Sequence, residues 1–367
     1  MSLFGDLYRG DTHIDFPRFW RKALVVSAVL VLVSVGALVV RGLNLGIDFE
    51  GGTSLEVRAD ADVGDIRDAL SGAGAADARI QTVGTDTIRV RTDIDERTAV
   101  LGLRDTLAEA VGVPPEDVSV STVGPTWGDE ITDKAVRALL VFFVLIAVYI
   151  SIRLEWKMAV GALAAVVHDI VISVGVYAVF QFEVTPATVI AFLTIMGYSL
   201  YDTMVVYDKV RELARRVGPT GRYTYTEIMN LALNQTMARS INATFTSVLP
   251  VLSMLVVGSL ILGAVTLQEF GIALLVGLVV GGYSSVVVAS DVVARLKERE
   301  PAYVQIREKL AARGEAGQTR RVSADDAVLG AAPRRPTPTA GTAPESSGRP
   351  APGSGVIPPR PRKKRRR

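Results

Sequence analysis

Cysteine is absent from the 367 residues, which excludes disulfides, thiolate metal sites and a cysteine nucleophile. Histidine is reduced to His13 and His168, which leaves little for a histidine-based metal centre. Lysine is scarce, at 8 against 32 arginines, a ratio that a GC-rich genome explains most simply. Net charge is close to zero, at +2. A phosphate-binding loop is also missing: the glycine-rich "GIDFEGG" at 46–52 has neither the lysine nor the following helix, and reads as a turn. No metal, no cofactor and no enzymatic centre are therefore expected.

What the chain has is apolar length. Hydrophobic residues make up 49% and the mean hydropathy is +0.33, too high for a soluble domain of this size. Six stretches can cross about 30 Å of hydrocarbon: 23–40, 136–152, 158–180, 186–207, 241–262 and 270–288. The first follows Arg18, Arg21 and Lys22 but is longer than a signal-peptide core and lacks a small-x-small cleavage site, so it reads as a retained anchor.

Charge orients these spans. Arg153 and Lys157, the arginines and lysines of 208–240, and Arg295, Lys297 and Arg299 mark one side as cytoplasmic, together with residues 1–22. The segment 42–133 is the opposite, with 7 arginines and no lysine against 19 acidic residues, a net of −12, and belongs outside. Its pattern of alternating strands and amphipathic helices runs β-α-β-β-α-β, the order of a ferredoxin-like α+β sandwich. An even number of spans returns 292–367 to the cytoplasm, with disorder expected from about 313. The closing "PRPRKKRRR" fits attraction to anionic lipid or ribosomal RNA, or a mere solvated topology anchor, and no specific nucleic-acid site is expected.

Polar groups inside the spans carry the functional signal. Asp202 lies about 9 Å above the cytoplasmic end of the fourth span, with Tyr198 and Ser199 on its face. An aspartate at such depth costs roughly 2.5–3.5 kcal/mol on insertion scales and marks a proton or ion site by default. A carboxylate kept only to bond a neighbouring helix is the plainer alternative. Arg239 opens the fifth span, and Asn242, Thr246 and Ser253 continue a polar ridge expected to face the bundle interior; the plainer alternative is that Arg239 is one more positive-inside residue reaching to the interface. His168 and Asp169 fall mid-way along the third span, as a proton relay or a helix-packing hydrogen bond. Gly277, Gly281, Ser285 and Ala289 form a small-residue strip for close helix packing.

Five segments resemble the SecF family of protein-export membrane subunits: "GIDFEGGTSLEV", "SIRLEWKMAVGALAAVVHDIVISVG", "GYSLYDTMVVYDKVREL", "RSINATFTSVLPVLSMLVVG" and "GIALLVGLVVGGYSSVVVAS". The similarity covers roughly residues 15–300 in order and spacing. It implies a bacterial cytoplasmic-membrane protein that works with SecD and the Sec translocation channel on an exported polypeptide, with the proton gradient as energy source. It also implies that Asp202 handles protons and Arg239 partners it. Tyr201 departs from the family's usual Asn, and Ala243 from its usual Thr four residues after the arginine. A proton-driven exporter of small molecules or lipids, from the same superfamily, is the alternative; a scaffold for the channel without transport is a third reading. One short outer domain and six spans argue against the exporter.

Overall fold

The computed structural model describes residues 14–59, 61–83, 86–261 and 264–313. Six of its helices are long and apolar enough to cross a membrane: Phe16–Arg41, Pro125–Arg153, Trp156–Phe180, Pro186–Thr220, Tyr225–Gly258 and Val265–Glu298. The protein is a multi-pass membrane protein. The first, α1 (Phe16–Arg41), leads through the short strand β1 (Asn44–Leu45) and a single helical turn, α2 (Ile47–Glu50), into the α+β domain. The "GIDFEGG" stretch is thus a turn of helix bounded by glycines. Gly52 follows at φ +106°, where a Cβ would stand 2.4 Å from the Thr92 carbonyl.

The domain consists of β2 (Gly52–Arg58), α3 (Val63–Gly72), β3 (Arg79–Val83), β4 (Thr87–Thr92), α4 (Arg97–Val111) and β5 (Ser119–Val123). Its sheet runs β3-β4-β2-β5 with every pairing antiparallel, the ferredoxin-like order. Local chemistry sets the helix ends. The Asp62 carboxylate caps α3 by accepting from the Gly64 amide at 2.7 Å, and Gly112 ends α4 in the left-handed region. Leu55, Val57, Ile88 and Val90 meet Ile66, Leu70, Leu103 and Leu107 on one face of the sheet. Burial of each such side chain contributes about 1.5–3 kcal/mol.

The opposite face is also covered, which strand alternation alone did not indicate. Arg89 and Arg91 point from β4 into a buried ionic cluster. The Arg89 guanidinium donates to Glu56 (2.8 Å), Glu183 (2.6 Å) and Glu269 (2.5 Å). Arg91 donates to Glu183 (3.1 Å), the Leu45 carbonyl (2.6 Å) and the Asn44 side chain. Burial works against protonation of both groups. For Arg89 the surrounding carboxylates overcome it and raise the pKa, whereas Arg91, beside Arg79 and Arg89, is lowered. Asp48 is raised, through burial and the nearby Glu183 charge.

The second and third spans are α5 (Pro125–Arg153) and α6 (Trp156–Phe180). The strand β6 (Glu183–Val184) then pairs in parallel with β1, tying the link after α6 to the link after α1. The fourth and fifth spans are α7 (Pro186–Val217) and α8 (Tyr225–Ser253), the latter continuing as a π-helical segment, Met254–Ile261. The sixth is α9 (Val265–Ser284), a π-helical stretch Ser285–Ala289 and α10 (Ser290–Glu298), followed by α11 (Pro301–Ala312).

Helix ends differ from the hydropathy boundaries in a consistent direction. The α+β domain ends ahead of 133, because the second-span helix already starts at Pro125, and α1 begins at Phe16 rather than 23. The expected loop 208–240 is helical on both sides of a short bend at 218–224. Capping boxes at Thr185/Thr188 and Thr224/Glu227 define these starts, and charged turns extend the helices past the hydrocarbon. The side chains of Asn230 and Asn234 accept from the backbone amides of Phe16 and Ile14, holding the start of α1. The expectation of disorder falls on residues 314–367, outside those described, as does His13.

The bundle packs its third, fourth and sixth spans centrally and turns the others largely outward. At Gly175 a Cβ would stand 2.1 Å from Ser34, so α1 and α6 touch backbone to backbone.

Candidate functional site

Two aspartates are buried where the third, fourth and sixth spans meet. Asp202 of α7 is 8% exposed and Asp169 of α6 is 3% exposed. Both are held by hydroxyls. Asp202 accepts from Ser240 of α8 at 2.8 Å on Oδ1 and from Ser285 at 2.7 Å on Oδ2. Asp169 accepts from Ser199 of α7 at 2.6 Å and Ser284 of α9 at 2.8 Å, both on Oδ2. Its Oδ1 lies 3.2 Å from Nδ1 of His168, the preceding residue.

Small residues create this arrangement. A Cβ at Gly277 would lie 2.4 Å from Ile195, and one at Gly281 2.8 Å from Ser199. Their absence brings α9 against α7 at the level of the two carboxylates. The next position of the same strip, Ser285, was expected to serve packing alone. It instead donates to Asp202, because the helix widens there. Ser285 opens the π-helical stretch Ser285–Ala289, and its carbonyl accepts from the side-chain hydroxyl of Ser290 at 2.9 Å. Inserted turns of this kind recur at functional sites, since they re-aim consecutive side chains.

Arg239 does not reach Asp202. Its Nη2 donates to the hydroxyl of Tyr201 at 2.9 Å, on the exposed side of the chain. The pairing forms two adjacent rungs between α7 and α8: Tyr201–Arg239 outside and Asp202–Ser240 inside. Adjacent helical residues project about 100° apart, so the arginine beside the inward serine must face away. The polar ridge follows it. Asn242 and Thr246 are exposed, and Thr246 donates only to carbonyls of its own helix. The expectation that this ridge enters the bundle of this chain is therefore corrected. Tyr198 is half-buried and takes no hydrogen bond among the described residues.

Two matches to family models cover this architecture. "Protein export membrane protein SecD/SecF, C-terminal" spans residues 104–299, and "SecD/SecF GG Motif" spans 36–63, around Gly51 and Gly52. The chain belongs to the SecD/SecF protein-export family. A relative from Streptomyces coelicolor, "Protein translocase subunit SecF", is 37% identical over 89% of this chain and 88% of its own length. A SecF from Mycobacterium tuberculosis is 40% identical over 81% of this chain and 70% of its own. A crystal structure of SecDF from Thermus thermophilus, described as a translocon-associated membrane protein, superposes with a TM-score of 0.71 at 32% identity. It covers 82% of this chain, which spans 40% of the SecDF chain.

Within this SecD/SecF frame, sequence reasoning found both carboxylates but missed Ser240 and Ser284. A signal was present: "SS" at 284–285 is two adjacent hydroxyls in an otherwise apolar helix. Among the described residues, no arginine or lysine pairs with either aspartate.

Proposed function

We propose that this chain is the SecF subunit of a Sec protein-export machine, acting with SecD and the translocation channel on exported polypeptides. The energy source is the proton-motive force, and Asp202 is the group that takes up and releases the proton. One observation carries the reading: a carboxylate buried in a membrane span, held by two hydroxyls and by no fixed cation. A carboxylate permanently paired with arginine resists protonation, whereas hydroxyls serve either state by turning their hydrogens.

Arg239 stands one rung away with its guanidinium on the exposed side. That side is the surface offered to SecD. Movement of the two halves would bring the arginine toward Asp202 or withdraw it, and a guanidinium close to a carboxyl favours the ionised form. One charge crossing 100 mV releases about 2.3 kcal/mol, enough to shift a two-state equilibrium roughly fiftyfold. The basic ends and both termini face the cytoplasm in this reading, the acidic α+β domain lies outside against the emerging polypeptide, and lipid surrounds the outward-turned spans.

The test is export into inverted vesicles with and without a proton gradient. Asp202→Asn keeps the shape and cannot ionise; it should assemble with SecD and lose the gradient-dependent gain. Arg239→Lys keeps charge but not the planar fork, and should be partly defective. Full gain in Asp202→Asn would make the carboxylate structural and end the proposal.

A further inference from the structure

We propose that Asp169 is a second proton-binding carboxyl of this bundle, built on the same plan as Asp202 and coupled to it. The inference rests on the proton reading of Asp202.

The plan is visible in the paired serines. Ser284 donates to Asp169 at 2.8 Å and has a second acceptor, the Gly281 carbonyl, at 3.2 Å. Ser285 donates to Asp202 at 2.7 Å and likewise has the Gly282 carbonyl at 3.2 Å. Each hydroxyl can thus give its hydrogen to the carboxylate while that group is ionised. When the carboxyl takes a proton, the serine turns its hydrogen to the helix carbonyl and accepts the new O–H instead. Neither protonation state then leaves the serine hydroxyl or the carboxyl hydrogen without a partner.

The surroundings also fit a group that changes charge. Asp169 is 3% exposed and, among the described residues, has no guanidinium or ammonium against it. On its own helix the titratable neighbour is His168, whose Nε2 is buried without a partner and whose ring stacks on Tyr283 of the sixth span at 6.1 Å. The fourth span contributes Ser199 and, three residues on, Asp202. The first span brings only neutral hydroxyls: Ser27, bonded to Tyr283, and Ser34. Asp291 of α10 is already paired with Arg295 at 2.6 Å.

Coupling follows from the shared backbone. Ser284 and Ser285 are consecutive, and Ser199 lies one turn from Asp202, so a move of either helix that re-aims the donors of one carboxyl disturbs those of the other. Proton uptake adds one O–H bond and removes one negative charge; release reverses both.

The experiment is a pH titration of carboxyl infrared bands in the full chain with SecD, in lipid nanodiscs, alongside vesicle export. Asp169→Asn and Asp202→Asn should each remove one pH-dependent carboxyl band from the wild-type difference spectrum. Asp169→Asn should cut the gradient-dependent gain at least tenfold, and Asp169→Glu should restore most of it. If Asp169→Asn fails to assemble, Ser284→Ala carries the test. Loss of that donor should shift the Asp169 carboxyl band in frequency and leave the Asp202 band in place. No missing band in Asp169→Asn, or no shift in Ser284→Ala, overturns the inference. Full gain in Asp202→Asn would instead overturn the proton reading beneath it.

Discussion

Glu183 is the acid on which the docked face of the α+β domain depends, and Glu183→Gln removes its charge at nearly constant volume. Its side chain is 8% exposed and accepts from both Arg89 and Arg91. After the substitution Arg89 keeps Glu56 and Glu269, but Arg91 has only the Asn44 side chain and the Leu45 carbonyl. Leaving one partner of a buried pair uncompensated costs about 3–5 kcal/mol. Glutamine retains one acceptor oxygen, so the lower end applies, about 3 kcal/mol. At about 1.4 kcal/mol per decade, the undocked population should rise roughly a hundredfold. Ser54 supplies the probe. It lies opposite Arg91 in the sheet, on the same face, and is 7% exposed. The chain has no cysteine, so Ser54→Cys is a unique thiol. Its reaction rate with a water-soluble maleimide, in protein held in nanodiscs, reports the open fraction. A change below about threefold would mean that other contacts hold the domain down and the reasoning fails.

Two further expectations concern the membrane orientation and the carboxyl end. A cysteine at Ser71 should label with an impermeant thiol reagent in cells with a permeabilised wall, and one at Thr220 should not; the reverse pattern would invert the topology. Glu300 is raised by burial but more strongly lowered by hydrogen bonds from Lys297 and Lys157. A depressed acid contributes stability above its unfolded value near 4.5 and loses it as pH falls through the folded value. Amide protection of Pro301–Ala312 should therefore weaken modestly on acidification below about 4.5 and stay flat in Glu300→Gln.

The spans were legible because lipid imposes a single requirement, about twenty apolar residues, that composition reveals directly. The sandwich was legible because alternation and glycine punctuation are local. Helix ends were not, since charged turns at Pro186–Val217 and Tyr225–Ser253 remain helical beyond the apolar stretch. Asp202 was evident from its setting, but its partners were not. Periodicity shows that Arg239 and Ser240 lie on neighbouring faces, yet which face turns inward depends on how α7 and α8 are rotated against each other. The buried side of Arg89 and Arg91 was hidden for the same reason: an arginine on a strand reads as solvent-facing until its acidic partners, distant in sequence, are in place.

The ionic cluster under the domain occupies an unusual mechanical position. Glu183 sits in the link between the helix carrying Asp169 and the helix carrying Asp202, and Glu269 begins the helix that ends in Ser284. From Glu269 to Ser285 is sixteen residues, a rigid arm of about 24 Å. Tilting such an arm by about 5° at the serine level sweeps its far end through about 2 Å. The Arg89 contacts are 2.5 to 2.8 Å long and cannot stretch that far. Any rocking of the sixth span must therefore either drag the α+β domain along or snap it free, so the domain acts as the pointer of a lever whose fulcrum lies among the carboxylates.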